Sequence, residues 1–329
     1  PFHYYLNGLA LMIWDNRVVM PKLLNIVISC LTLLPFYFFV RREFNDKGAI
    51  YATLYLAFCP VLFQTSFLGL SNTPFLLFLI LSINSLSKGI RNEKYSQFLL
   101  AGFFITMASG FRYEAWLIMA IFGVLLLMYK KPIQAVLFGL MAGLFPVVWM
   151  ISNWMETGNP LFSISGNYVW THDMMGINEN VHWKEYARRL LFFPYSWGMM
   201  VGVLVAFVVI TKGYGIIKNR DFQKLFWLVP FLVIFTFMLY NSVKGNLLNH
   251  HRFTGTLVVF SLPFFALFFE SFSKKKSYLA LGFLVLTFGF SFLISFHSLT
   301  SILCVAKKRA KSSCKLSNCS LVSCLYFII

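Results

Sequence analysis

Long apolar runs alternate with short polar segments along most of this chain. Ten of these runs have the composition of membrane-spanning helices, although several are shorter than the ~20 residues that a straight span needs. The runs are Val19–Val40, Ala49–Phe67, Thr73–Ser87, Ser96–Phe111, Tyr113–Met128, Ile133–Trp154, Leu190–Ile210, Leu225–Tyr240, Thr254–Phe272 and Tyr278–His297. The two runs that flank Arg112 would form two short spans, one long broken helix or a re-entrant pair. The pattern predicts an all-α, polytopic transmembrane helical bundle of about ten spans.

The polar segments divide the chain into three regions. Residues 1–18 are aromatic and amphipathic but too short to span a bilayer, which is typical of an interfacial helix. Residues 19–297 form the transmembrane domain, with longer outer loops at 155–189 and 242–253. Residues 298–329 are a basic tail rich in Ser and Cys. Because the chain begins at Pro1 without a Met or a signal peptide, we expect a first outer loop upstream of it.

The charged residues then orient the bundle. The chain is 59% hydrophobic, only 12% charged and carries a net charge of +17, so it is not a soluble domain. The basic residues cluster in short loops, where they act as topology signals, and we expect membrane lipids rather than nucleic acid as partners. Alternate loops carry 15 basic residues on one side of the bundle against 8 on the other before the tail, so the first side is cytoplasmic.

Two charged segments stand out on the opposite, outer face. Arg112 and Glu114 separate two strongly apolar runs, where a charge is costly unless it lies at a membrane end or lines a polar cavity. They form either an interfacial turn on lipid headgroups or a polar site for an anionic ligand. His250, His251 and Arg252 lie directly before a span, where they suit a lipid-linked phosphate or simple contact with headgroups.

The outer loop 155–189 offers a second kind of chemistry. Aromatic rings beside polar groups, such as Trp170, His172 and Asp173, are typical of sugar-binding sites, and equally of an aromatic belt at the membrane interface. A metal site from His172, Asp173 and His182 is an alternative. We expect no cofactor, with a divalent metal as the exception. The sequence lacks the catalytic motifs of soluble enzymes, including the Asp-x-Asp of a nucleotide-sugar enzyme, so a nucleotide-sugar donor is not expected.

Several motifs, taken in order, resemble a known family over about residues 1–270. They are Pro1-Phe2-His3-Tyr4-Tyr5-Leu6, Arg41-Arg42-Glu43-Phe44, Leu70-Ser71-Asn72-Thr73-Pro74-Phe75, Arg112-Tyr113-Glu114-Ala115-Trp116, Gly158-Asn159-Pro160-Leu161-Phe162 and His251-Arg252-Phe253. This set is similar to the GT-C superfamily of membrane glycosyltransferases, especially relatives of the dolichyl-phosphate-mannose protein mannosyltransferases. At Asn72, where relatives often carry an acidic residue, this sequence has an amide.

The resemblance implies a function and a set of roles. Such enzymes move a sugar, here mannose-like, from a polyprenyl-phosphate carrier to a lipid, glycan or protein acceptor at the outer membrane face. Their general base is an Asp in the first outer loop, expected upstream of Pro1, so the catalytic residue is not identified and this chain is expected to be inactive by itself.

The site residues are then expected to divide by ligand. We expect Arg112, Arg252, His250 and His251 to bind the carrier phosphate, and Tyr113, Glu114, Trp170, His172 and Asp173 to contact the sugar or acceptor, with Glu114 orienting Arg112.

Two other functions fit the same pattern. A transporter or flippase of lipid-linked glycans would also be polytopic, although it should show repeated halves with broken spans in matching positions. A non-catalytic subunit of a membrane complex would lack the base altogether. The expected location is the plasma membrane of a bacterium or archaeon, or the endoplasmic reticulum of a eukaryote.

Overall fold

The computed structural model describes residues 2–169, 182–247 and 249–271, together with the isolated positions 282 and 289. Within these residues all regular structure is helical and no strand occurs, which confirms the all-α prediction. The helices are α1 Phe2–Ile13, α2 Met20–Glu43, α3 Asp46–Ala57, α4 Pro60–Phe67, α5 Asn72–Asn92, α6 Tyr95–Phe111, α7 Glu114–Met128, α8 Pro132–Ala142, α9 Leu144–Thr157, α10 Phe162–Val169, α11 Trp183–Val201, α12 Val203–Lys218, α13 Phe222–Lys244 and α14 Gly255–Phe265. Two 3₁₀ helices, His251–Thr254 and Ala266–Ser271, flank α14.

The predicted count of ten spans is not confirmed. In the described part of the chain, four continuous helical segments are long and apolar enough to cross a membrane: Met20–Glu43, Asn72–Asn92, Phe222–Lys244 and His251–Phe269. Three pairs of helices joined at sharp bends raise the number to seven if each pair is one span. Helices α6 and α7 are apolar but shorter. The predicted span Tyr278–His297 lies outside the described residues, apart from positions 282 and 289.

Three predicted spans are broken helices. The run Ala49–Phe67 divides into α3 and α4, and the run Ile133–Trp154 divides into α8 and α9, each with a bend of 44°. The run Leu190–Ile210 is not one straight span, because α11 and α12 meet at 106°. Helix α11 also begins at Trp183, inside the predicted loop 155–189.

The sharpest break has a local cause at Gly202. This residue has φ 73° and ψ 137°, a conformation that strains any residue with a Cβ. The break leaves carbonyls at the end of α11 without helical partners. The Tyr55 hydroxyl donates to the carbonyl of Val201 at 2.6 Å, and the Cys59 thiol donates to that of Met200 at 3.4 Å. The interrupted α3–α4 segment therefore supports the interrupted α11–α12 segment.

Helix α14 forms the centre of the bundle. Every one of its residues is buried, and it contacts α3, α5, α11, α12 and α13. Aromatic rings pack beside it: Phe122 of α7 lies 6.1 Å from Phe260 of α14 and 6.2 Å from both Phe226 and Trp227 of α13. This packing fixes the 3₁₀ helix His251–Thr254, which leads directly into α14.

A buried carboxylate holds one end of the bundle together. Glu43, at the end of α2, accepts hydrogen bonds from Ser87 of α5 at 2.5 Å and from Trp227 of α13 at 3.2 Å. Arg42 donates to the side chain of Asn84 at 2.6 Å and to Ser87 at 3.2 Å. These bonds satisfy charged groups that would otherwise be costly to bury. They lie at the predicted cytoplasmic end, opposite the charged residues described below.

Candidate functional site

Four chain segments bring their polar residues together at the other end of the bundle. They are the start of α5 at Asn72, the end of α6 at Arg112, the start of α7 at Glu114, and the 3₁₀ helix that contains Arg252. Helix α6 stops because Arg112 adopts an extended conformation, with φ −150° and ψ 141°. The two apolar runs around Arg112 therefore form two separate helices, and the charged pair lies at the turn between them.

Arg112 is held by two neighbours. Its Nε donates to Glu114 at 2.9 Å and its Nη2 donates to the other carboxylate oxygen at 2.5 Å, so the pair is bidentate. Its Nη1 donates to the Oδ1 of Asn72 at 2.7 Å. Only 10% of the Arg112 side chain and 19% of the Glu114 side chain are exposed. The predicted pairing of these two residues is therefore present, and it is largely shielded from solvent.

Asn72 also connects Arg112 to Arg252. Its Nδ2 donates to the backbone carbonyl of Arg252 at 2.9 Å, while its Oδ1 accepts from Arg112. Asn72 is 4% exposed. One buried amide thus fixes the side chain of one arginine and the backbone of the other.

A phenylalanine ring lies against both arginines. The Cζ of Arg112 is 4.9 Å from the centroid of the Phe253 ring, and the Cζ of Arg252 is 5.1 Å from it. Guanidinium groups stack favourably on aromatic faces. The Phe253 ring therefore lies close to both positive charges and stabilises each of them.

Arg252 lacks the carboxylate partner that Arg112 has. Among the described residues, no acidic side chain forms an ion pair with Arg252, and its buried Nε has no hydrogen-bond partner. The cluster contains two guanidinium groups against the single carboxylate of Glu114, so it retains positive charge. A buried, unsatisfied donor on a cation is a group to which an anion would bind favourably.

The two adjacent histidines have different environments. The His250 ring accepts a hydrogen bond from the backbone N–H of Arg252 at 3.1 Å. Loss of solvent around the ring, and then the charges of Arg252, His251 and Arg112, lower the pKa of His250 to about 4. His251 instead forms a hydrogen bond with Ser196 of α11 at 2.7 Å and lies 5.3 Å from the Phe192 ring. Its Nδ1 is therefore directed to α11.

The remaining predicted site residues separate into two groups. Tyr113 lies beside the Arg112–Glu114 pair, is 39% exposed and contacts Trp116 edge to face at 5.4 Å. Trp170, His172 and Asp173 lie outside the described residues, so the predicted sugar contacts in that loop have no structural test. His182, the third member of the alternative metal site, caps α11 through its ring nitrogen. No group of three or more metal-ligating side chains occurs within the described ranges.

Several residues of this region were not predicted as site residues, although Asn72 and Phe253 lie in the family-like motifs. Asn72, Phe253 and Ser196 each contact a predicted site residue. Arg189 is one of the eight basic residues that the charge pattern assigned to the outer face, and its side chain is 5% exposed and pairs with Glu185 at 3.2 Å. The neighbouring Phe253 could have been suspected from its place after Arg252. The partners of Asn72 and Ser196 come from distant parts of the chain and leave no local signal.

Comparison with known proteins finds one family similarity, in the N-terminal part of the chain. Residues 1–155 match the dolichyl-phosphate-mannose-protein mannosyltransferase family. The resemblance predicted from the sequence is therefore confirmed over this range, which contains Asn72, Arg112 and Glu114. With the apolar helices, the match to this mannosyltransferase family supports a membrane glycosyltransferase of the GT-C type.

A solved structure shows a distant likeness to most of the chain. It is the crystal structure of the Archaeoglobus fulgidus oligosaccharyltransferase, tethered to an acceptor peptide that contains the NVT sequon. The identity is 16% and the TM-score is 0.48, over 90% of this chain and 45% of the other. The chain therefore spans less than half the length of that protein. No curated protein matches the chain.

Proposed function

We propose that this chain is the membrane part of a glycosyltransferase that takes a sugar from a polyprenyl-phosphate carrier and transfers it at the outer membrane face. The acceptor is a lipid, a glycan or a protein. The mannosyltransferase-family match of residues 1–155 supports this class of reaction, and mannose is the sugar that the family name suggests.

The observation that carries the proposal is that Arg252 forms no ion pair with any described residue. A carrier phosphate is an anion that must be held beside the membrane, and its negative charge increases as the sugar leaves. Arg252 has a buried Nε without a partner, and it lies directly before the apolar segment that continues as α14. We assign the direct phosphate contact to Arg252, with His250 as a neutral neighbour at physiological pH.

Arg112 has a different part in this proposal. Its Nε and one N–H of each terminal nitrogen are already used by Glu114 and Asn72. It contributes positive charge to the site, and its two remaining N–H groups are available to a phosphate oxygen. Glu114 holds Arg112 rather than acting as the base, because its two carboxylate oxygens both accept from that guanidinium. Tyr113 is the described residue that we propose to contact the sugar or acceptor.

The proposal is tested in membranes from cells that express the complete gene, compared with membranes that lack it. Labelled polyprenyl-phosphate-mannose is supplied, and the label is followed in the carrier and acceptor fractions. Transfer of label into an acceptor fraction supports the proposal. If the label crosses the bilayer while still attached to its carrier, the result would contradict the proposed transferase and indicate a flippase. If the label neither reaches an acceptor fraction nor crosses the bilayer, the result would contradict the proposed transferase and indicate a non-catalytic subunit.

A further inference from the structure

The hydrogen bonds around Asn72 suggest a specific task for its amide. Its oxygen accepts from Arg112 at 2.7 Å and its nitrogen donates to the carbonyl of Arg252 at 2.9 Å. An amide side chain can accept from one group through its oxygen and donate to another through its nitrogen at the same time. A carboxylate in the same place would keep the first bond and lose the second.

These contacts link a satisfied arginine to an unsatisfied one. Arg112 is fixed on one side by the bidentate Glu114 carboxylate, so it is a rigid anchor. Asn72 extends this anchor to the peptide group of Arg252, and Phe253 supports both guanidiniums from the side. The backbone of Arg252 is therefore held in place, while the Nε of its side chain has no hydrogen-bond partner.

We propose that Asn72 is a positioning residue that sets the direction of the Arg252 guanidinium towards the carrier phosphate. The inference rests on the proposed function, because it requires Arg252 to bind that phosphate. A long, flexible arginine loses conformational entropy when it binds, and a fixed backbone with a stacked side chain reduces this cost before the ligand arrives. Asn72 thereby raises the affinity for the phosphate without contacting it.

The test compares the affinities for polyprenyl phosphate and for an uncharged polyprenol of the same length. The 329-residue chain is placed in lipid nanodiscs for both measurements. Asn72→Leu, which has nearly the same size, removes both hydrogen bonds. We expect it to lower the phosphate affinity about tenfold or more, the effect of losing a well-placed charged hydrogen bond, and to leave the polyprenol affinity unchanged. If Asn72 had only a structural role, Asn72→Leu would lower the affinities for both ligands to the same extent.

A second position provides a matched control. Asn153, at the outer end of α9, is also a buried amide that uses both of its ends: it donates to the carbonyl of Pro160 at 3.2 Å and accepts from Ser163 at 3.1 Å. Asn153→Leu should leave the ratio of the two affinities unchanged. An equal fall in this ratio for both asparagine variants would overturn the inference.

A double-variant cycle then shows whether Asn72 acts through Arg252. In the Arg252→Ala background, Asn72→Leu should lose most of its effect on phosphate binding, because the group that it positions is gone and only its bond to Arg112 remains. An equal additional loss in that background would overturn the inference and leave the proposed function intact. Unchanged phosphate binding by Arg252→Ala alone would instead contradict the phosphate assignment in the proposed function.

Folding is controlled with a second substitution. Asn72→Asp keeps the size of the side chain and the bond to Arg112, and removes only the donor to Arg252. If Asn72→Leu does not fold, this variant carries the test. In the Arg252→Ala background, the loss of phosphate affinity caused by Asn72→Asp measures direct repulsion by the new charge. Any larger loss in the protein that retains Arg252 measures positioning. Zero excess would overturn the inference.

Discussion

Arg112 and Glu114, two residues apart in sequence, form a bidentate ion pair across the break between α6 and α7, with N–O distances of 2.9 and 2.5 Å. The pair is shielded from solvent and lies where two apolar helices end. It neutralises one of the two arginines that contact the Phe253 ring. The other arginine, Arg252, keeps its charge uncompensated by an ion pair within the described residues.

Glu114→Gln should destabilise the protein. The substitution leaves the Arg112 guanidinium partly buried without its counter-charge, and losing a charged hydrogen bond of this kind costs about 1.5–3 kcal/mol in the free energy of unfolding. The thermal midpoint in detergent should fall accordingly. Phosphate binding should persist, because the positive charge of the site increases.

The control for this prediction is Asp46→Asn. Asp46 pairs with Arg41 at 2.8 Å, but both side chains are more than half exposed. Exposed ion pairs contribute little to stability, so this variant should leave the thermal midpoint nearly unchanged. Equal effects of the two substitutions would show that the Arg112–Glu114 pair is no more important than a surface contact.

Gly202→Ala should also destabilise the fold. The positive φ of 73° and the Tyr55 hydroxyl, which would lie 3.0 Å from the added Cβ, both oppose the larger residue. Strained backbone conformations of this kind cost about 1–3 kcal/mol. The measurement is the free energy of unfolding in a denaturant titration.

Gly198 of α11 provides the matched control for Gly202. It lies within the helix, and an added Cβ would meet nothing within 4 Å. Because alanine favours helix formation more than glycine does, Gly198→Ala should leave the protein as stable as before or raise its stability by roughly 1 kcal/mol. A Gly202→Ala variant that matched this result would contradict the account of the break.

The stability of the protein should fall as the pH decreases from about 6.5 to about 4. His250 has a pKa of about 4 in the folded protein, whereas an unfolded histidine binds its proton near pH 6.5. The unfolded chain therefore binds more protons in this window, and protonation also removes the ring acceptor used by the backbone N–H of Arg252. Unfolding measured across the window should show this slope, which His250→Asn should reduce because asparagine keeps a cap acceptor and does not titrate. A slope of the same size in His250→Asn would assign it to other groups.

The apolar pattern predicted the all-α fold well, since long hydrophobic runs leave few alternatives to helices in a membrane. It did not predict the break at Gly202, because the sequence there reads as one continuous apolar run. The partner that supports this break, Tyr55, lies 146 residues away from Val201. Periodicity and composition contain no information about such a contact.

The candidate site was predictable to a similar extent. Charges beside apolar runs indicated Arg112, Glu114 and Arg252, because a charge there is costly unless it lies at a membrane end or lines a polar cavity. The role of Asn72 was not predictable, since its two partners lie 40 and 180 residues away and polar residues at helix starts are common. Nothing in the sequence distinguishes Arg112, which forms an ion pair, from Arg252, which forms none with the described residues.

The most direct test of the central claim is the equilibrium affinity of the chain in nanodiscs for fluorescent polyprenyl phosphate, with Arg252 changed to Ala or Lys. We expect Arg252→Ala to weaken binding by about tenfold to a hundredfold, the effect of losing a charged hydrogen bond, and Arg252→Lys to weaken it less. Arg188→Ala, which changes a side chain that is 75% exposed, should have little effect. If Arg252→Ala and Arg188→Ala bind polyprenyl phosphate as tightly as the unaltered chain, Arg252 is a headgroup contact and not the carrier-phosphate site.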